Sequence, residues 1–180
     1  SEVAKSVLDQ MKRYFPVSDL PLESSGVIED QDLIAVGAKA SLFGSAVLIE
    51  YGYIYESQFA SPEIRGPVLK ELAYQTYLGL KKYFEPQLSN FPYDNFNLPH
   101  QWTDELKTGV KNKPSVFALQ LALSREGFYP PTGFSNNDCP ANGNFGKCTR
   151  LAIKGFQKKH ELKDTGILDS PTLVKLNALH

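Results

Sequence analysis

The sequence has few cysteines, no long apolar run and no marked excess of one charge. Its formal net charge is −1 over 180 residues, and no Lys/Arg-rich run stands out. Electrostatic attraction to nucleic acid or to an anionic membrane is therefore not expected to dominate function. No apolar segment approaches the roughly 20 residues that a bilayer-spanning helix needs, so no membrane span is predicted.

The two cysteines, Cys139 and Cys148, lie close together in a Gly/Asn/Pro-rich region. Two cysteines are too few for a disulfide scaffold or a four-cysteine zinc site. Two alternatives remain open: a single disulfide that closes this loop in an exported protein, or two unrelated reduced thiols.

The composition is that of a soluble globular protein, with 42% hydrophobic and 22% charged residues. The length permits one large domain or two small ones. The chain begins at Ser1, without an initiating Met and without a signal peptide. This start predicts a mature, trimmed or truncated product.

The N-terminal half combines helical patterns with one buried-strand pattern. Apolar residues at helical spacing predict a helix over residues 2–15, which Pro16 ends. Asp32–Phe43 fits either a short helix or a strand. The apolar run in Ala46–Glu50 predicts a central strand covered on both faces, and Ile64–Phe84 predicts a long helix. This half is therefore predicted to be one flank of an α/β sheet.

Glu50 stands at the end of the predicted strand and is followed by Gly52. Ligands of open α/β sheets bind outside the carboxyl ends of the strands, which makes Glu50 a candidate catalytic residue. The structural alternative is a strand-end carboxylate that reaches solvent before a glycine turn.

The predicted long helix is amphipathic. Its apolar face is expected to contain Val68, Leu69, Leu72, Ala73, Thr76, Leu80 and Phe84. Lys70, Glu71, Lys81 and Lys82 are expected to point away from that face.

Residues 85–99 contain three prolines and no periodicity, which predicts a linker. The aromatic residues of this segment are expected to pack onto a neighbouring domain: Phe91, Tyr93 and Phe96. The predicted organisation is thus residues 1–84, a linker at 85–99 and a second domain at 100–180.

The C-terminal part contains an internal repeat. After an amphipathic helix at Val116–Leu123, two segments match at an offset of 23 residues. The matched pairs are Gly143 with Gly166, Phe145 with Leu168, Thr149 with Thr172, Ile153 with Leu176, and Phe156 with Leu179. Ser170 and Pro171 are predicted to be an N-cap and a first helical residue. Three short helices joined by equivalent glycine turns predict a small all-α domain.

This segment resembles the peptidoglycan-binding domain, a three-helix module appended to cell-wall hydrolases. The resemblance extends from about Trp102 to the end of the chain. It is carried by Val116, Leu119, Gln120 and Leu123 in the first block, by Gly143, Phe145, Gly146, Thr149, Ala152, Ile153, Phe156 and Gln157 in the second, and by Thr165, Gly166, Leu168 and Thr172 in the third. It implies peptidoglycan as the partner.

The long insert at Tyr129–Asn142 departs from the family's pattern. Exposed aromatic side chains in or beside this insert are candidate ligand-binding residues that could stack on a sugar face: Phe128, Tyr129 and Phe134. Core packing is the alternative role for at least one of them.

The N-terminal half resembles the closing part of a zinc-dependent N-acetylmuramoyl-L-alanine amidase of the amidase-3 type. The pattern E-x-G-[FY]-[IL] is met by Glu50, Gly52, Tyr53 and Ile54, and a final helix follows. The resemblance implies a zinc cofactor and a catalytic role for Glu50 beside the metal-bound water. A carboxylate there can accept a proton from the water and pass it to the leaving amine.

The metal ligands implied by this resemblance are a His, a Glu and a second His upstream of the strand. The three histidines of this chain, His100, His160 and His180, all follow Glu50 and have no metal-binding spacing. Zinc ligands are therefore not expected in this chain. It is expected to be either a fragment that an upstream N-terminal segment completes, or a degenerate protein that kept only wall binding.

The leading expectation is a secreted, extracellular or cell-envelope hydrolase that cleaves the bond between muramic acid and L-alanine, inactive as this chain alone. The alternative from another class is a non-catalytic peptidoglycan-binding protein. A cytosolic interaction protein is the third possibility, and free thiols at Cys139 and Cys148 would support it.

Overall fold

The computed structural model describes residues 1–23, 25–29, 46–88 and 94–180. Within these ranges the regular structure is helical, apart from one isolated antiparallel bridge between Leu106 and Leu168. The helices are α1 (Glu2–Met11), α2 (Ser57–Ala60), α3 (Pro62–Phe84), α4 (Pro114–Arg125), α5 (Lys147–Lys159) and α6 (Ser170–Asn177), with a 3₁₀ turn at Pro86–Leu88. No helix in these ranges has the length and apolar character needed to cross a bilayer.

The predicted α/β fold is wrong for the part of the chain that the structure describes. Ala46–Glu50 forms no strand there, and Leu48 is 52% exposed instead of buried. A strand is stable only when neighbouring backbones satisfy its N–H and C=O groups and other layers cover its faces. Among the described residues, no neighbouring strand pairs with this apolar run and no layer covers both of its faces. The element predicted at Asp32–Phe43 lies entirely outside the described residues.

Helix α1 confirms the helix predicted at the N-terminus, although it ends several residues before Pro16. The Ser1 hydroxyl accepts a hydrogen bond from the backbone N–H of Ala4 and so caps the helix. The helix packs against α3 at Gly79, where an added Cβ atom would lie 2.6 Å from the Cα atom of Val7. This close approach requires a glycine at position 79.

Helix α3 confirms the predicted long helix, but its predicted exposed face is wrong at Glu71. Glu71 is fully buried, whereas Leu69, predicted to be on the apolar face, is 47% exposed. The Glu71 carboxylate accepts hydrogen bonds from the side chains of Gln75 at 2.7 Å, Asn95 at 3.0 Å and Asn97 at 2.8 Å. These bonds replace water and make the burial of a carboxylate tolerable.

One hydrophobic core runs from α3 into α4–α6. Ile64 and Val68 of α3 join Phe117, Phe145 and Phe156 in a single cluster, and all five are buried. Helix α6 begins one residue earlier than predicted, because its N-cap is Asp169 and not Ser170. The division of the chain into residues 1–84, a linker at 85–99 and a domain at 100–180 stays a prediction.

Candidate functional site

The turn before α6 is organised by the side chain of Gln157. Its amide group donates to the Thr172 hydroxyl at 2.8 Å and to the Ile167 carbonyl at 2.9 Å. Its carbonyl oxygen accepts from the backbone N–H of Gly166 at 2.8 Å. Gly166 has a φ of 68°, a left-handed conformation that favours glycine. A single buried glutamine thus joins α5, the glycine turn and the start of α6.

Gln120 performs the same role one helix earlier. Its amide group donates to the Thr149 hydroxyl at 3.1 Å and to the Asn144 carbonyl at 3.0 Å. Its carbonyl oxygen accepts from the backbone N–H of Gly143 at 3.0 Å, where φ is 73°. The internal repeat therefore exists in three dimensions, with each helix holding the turn that precedes the next one.

The glycines and threonines of both turns were predicted from the repeat, and the two glutamines were named only as residues of the family pattern. Their role in connecting the helices to the turns was not predicted. The signal was present, since Gln120 and Gln157 each follow a large apolar residue, Leu119 and Phe156, that is fully buried in the structure. A polar residue directly beside core residues in two equivalent helices indicates a buried hydrogen-bonding role.

The cysteines form a disulfide between Cys139 and Cys148, which decides between the two alternatives left open by the sequence. The bridge ties the insert to the first turn of α5. The insert also contacts the N-terminal segment, because the Asn136 amide donates to the Lys12 carbonyl at 2.9 Å and the Asn137 amide donates to the Val17 carbonyl at 2.8 Å. The insert is thus tied both to α5 and to the N-terminal segment.

The three aromatic candidates do not form one platform. Tyr129 is 5% exposed and donates its hydroxyl to the Pro140 carbonyl, so its ring belongs to the core. Phe128 is half-buried, edge-on to Phe156. Phe134 is 36% exposed.

Helix α5 separates the two accessible rings. The Lys147 ammonium at the start of α5 lies 5.5 Å from the Phe134 ring centroid, and the Lys159 ammonium at its end lies 5.5 Å from the Phe128 ring centroid. Phe128 and Phe134 therefore lie near opposite ends of α5, each beside a lysine that can also contact a ligand.

Glu50 is exposed and lies in an irregular segment before α2. The neighbouring turn is held by Glu56, whose carboxylate accepts from the backbone N–H of Tyr53 at 2.8 Å. The Tyr53 hydroxyl donates to the Glu23 carboxylate at 3.1 Å, and this hydrogen bond is the leading cause of the raised pKa of Tyr53. The sequence motif around Glu50 is thus an exposed tyrosine- and carboxylate-rich turn.

The histidines pack against other side chains. His100 and Trp102 make an edge contact, and His160 lies against Phe156. The His180 ring is buried, with its Nε2 atom 3.4 Å from the Glu126 carboxylate. Burial is the leading cause that lowers the pKa of all three. Among the described residues, no three His, Cys, Asp or Glu side chains are placed to hold one metal ion. These residues therefore do not fit a zinc centre.

Comparison with known protein families gives a match over the three-helix module. Residues 112–176 match the family described as "Putative peptidoglycan binding domain", and this range contains α4, α5 and all but the last residue of α6. No curated protein matches the chain. The match covers 65 of the 180 residues and includes both glutamine-held turns. The three-helix module is thus similar to the peptidoglycan-binding domain over residues 112–176.

Proposed function

We propose that this chain binds peptidoglycan through its three-helix module and acts at the cell wall. The observation that carries the proposal is the family match over residues 112–176, which coincides with a module built from two equivalent turns. The disulfide between Cys139 and Cys148 supports an exported location, because disulfides persist in oxidising compartments.

The test is co-sedimentation of the full chain with purified insoluble peptidoglycan. Binding that saturates, and that soluble muropeptides compete for, is the expected result. Chitin and cellulose serve as control polymers, because they are insoluble glycans that lack peptide stems. Recovery of the protein in the supernatant, or equal retention on all three polymers, would contradict the proposal.

A second candidate function is N-acetylmuramoyl-L-alanine amidase activity in a polypeptide that contains this chain together with a zinc site. Its support is the resemblance of Glu50, Gly52, Tyr53 and Ile54 to the amidase pattern. The described residues supply no metal-binding group, so the zinc ligands would have to come from residues outside them. Within such a site Glu50 is the candidate proton acceptor and donor.

The amidase candidate is tested by assaying such a polypeptide on purified peptidoglycan, with Glu50→Gln as the variant and Glu85→Gln, an exposed change outside the motif, as the control. New L-alanine amino termini should appear with the parent and the control, and fall at least a hundredfold with Glu50→Gln if Glu50 transfers a proton. Equal release by both variants would exclude that role for Glu50. Wall binding by the helical module is independent of this outcome.

A further inference from the structure

The charge of the chain is divided between its two parts. Residues 1–99 contain eight Lys and Arg against thirteen Asp and Glu, a formal net charge of −5. Residues 100–180 contain eleven against seven, a formal net charge of +4. The net charge of the whole chain is therefore near zero although the module at residues 100–180 is basic.

Part of this positive charge forms a stripe along α5. Lys147, Arg150, Lys154 and Lys158 follow one another at intervals of three or four residues, which places them on one side of a helix. Lys147, Arg150 and Lys158 are exposed. The opposite side of α5 is buried through Thr149, Ala152, Ile153, Phe156 and Gln157. The basic stripe therefore faces solvent because the other side of the helix is in the core.

Few carboxylates neutralise the stripe. Lys154 pairs with Asp164 at 3.0 Å, and no other ion pair within the described ranges involves α5. The Phe134 ring beside Lys147 adds an apolar surface at the start of the stripe. Cations that recur about once per helical turn, roughly every 5.4 Å, attract a partner that carries regularly repeated negative charge.

We propose that the basic stripe of α5 binds a phosphodiester polymer of the cell wall, in addition to peptidoglycan. A polyol-phosphate chain carries one negative charge in every repeat of a flexible backbone, so successive phosphates can follow successive cations. The carboxylates of peptidoglycan sit instead on separate peptide branches. Arg150 supplies the planar guanidinium that binds a phosphate with two hydrogen bonds.

This inference rests on the proposed wall-binding function, and its test separates the two. Full-length protein is sedimented with wall sacculi that retain their polyol-phosphate polymer and with the same sacculi stripped of it by hydrofluoric acid. The stripe variant is Lys147→Gln/Arg150→Gln/Lys158→Gln. The control, Lys12→Gln/Lys107→Gln/Lys111→Gln, removes the same charge from exposed lysines outside α5.

The parent and the control should bind the polymer-bearing sacculi about tenfold more tightly than the stripped ones at low salt, and the stripe variant should lose this difference. Purified poly(glycerol phosphate) should compete only for the part of binding that the stripe variant loses. Equal binding of the parent to both sacculi, or an equal loss in stripe and control variants, would overturn the inference. Binding of the parent to the stripped sacculi measures peptidoglycan binding, the proposed function, independently of the phosphate polymer. Unchanged unfolding midpoints verify that both variants are folded.

Discussion

The Gln157 side chain donates a hydrogen bond to the Thr172 hydroxyl across 2.8 Å in the fully buried interior of the module. Gln120 and Thr149 repeat this relationship at 3.1 Å. Both threonines stand in the first turn of a helix, and both glutamines come from the preceding helix. The two contacts fix how the three helices are arranged in space, because each one joins the start of a helix to the helix before it.

Replacing Gln157 with Met is expected to lower the free energy of unfolding by about 2 to 4 kcal/mol, because the Gly166 N–H and the Ile167 carbonyl lose their buried partner while the volume is nearly kept. Urea unfolding followed by circular dichroism measures this loss. Gln101→Met, at an exposed position, is the control and should stay within about 0.5 kcal/mol of the parent. Equal midpoints for the two variants would show that the glutamine contact is dispensable.

Glu71→Gln is expected to destabilise the chain by about 1 to 3 kcal/mol, although the two side chains have nearly the same shape. The carboxylate accepts only, and its oxygens face donors on Gln75, Asn95 and Asn97. An amide nitrogen in place of one oxygen would face a donor with a donor. Glu85→Gln, an exposed change at the end of α3, is the control.

Urea midpoints at neutral pH compare the two variants with the parent. A Glu71→Gln protein as stable as the Glu85→Gln protein would mean that this network does not depend on the carboxylate. The network also fixes the segment between α3 and the module, because Asn95 and Asn97 of that segment donate to the Glu71 carboxylate on α3. Loss of stability should therefore be accompanied by faster proteolysis near residues 94–97.

Local patterns predicted the helices, because periodic apolar residues and flanking Pro residues act within one element. They failed at Glu71, whose hydrogen-bond partners Asn95 and Asn97 lie in a segment without periodicity. They failed at Ala46–Glu50 for a related reason. A strand composition indicates which residues can pair, but the pairing itself depends on other segments.

The candidate site was predicted in the same uneven way. The spacing of Gly143 and Gly166 located both turns, since a left-handed backbone position restricts the residue type there. Phe128, Tyr129 and Phe134 are close in sequence, yet Tyr129 enters the core and the other two rings lie near different ends of α5. Which ring is accessible depends on packing that short-range sequence does not specify.

Reduction of the disulfide between Cys139 and Cys148 is expected to cost about 2 to 3 kcal/mol of stability, because the bridge closes a loop of about ten residues in the unfolded chain. Urea unfolding with and without a phosphine reductant measures the difference, and alkylation mass analysis verifies the thiol count. The Cys139→Ser/Cys148→Ser variant should have the stability of the reduced parent and ignore the reductant. A parent whose midpoint is the same in both conditions would contradict this contribution.

Stability is expected to fall as the pH drops from about 7 to 5. Burial lowers the pKa of His100 and of His180, so the folded state favours the neutral rings. The unfolded chain takes up these protons near pH 6.5, where free histidine titrates. The stabilising contribution is therefore complete above the unfolded pKa and is lost as the pH falls through the folded pKa.

Glu126, 3.4 Å from His180, opposes this effect, whereas Arg125 adds to it. Urea midpoints at pH 7.5, 6.5 and 5.5 measure the pH dependence. His100→Gln/His160→Gln/His180→Gln, which removes all three histidines with a lowered pKa, should flatten it across this range. Carboxylates with a lowered pKa lose their contribution only at lower pH, so they do not account for a decline between pH 7 and 5. A pH dependence that is equally steep in the variant would show that other groups cause it.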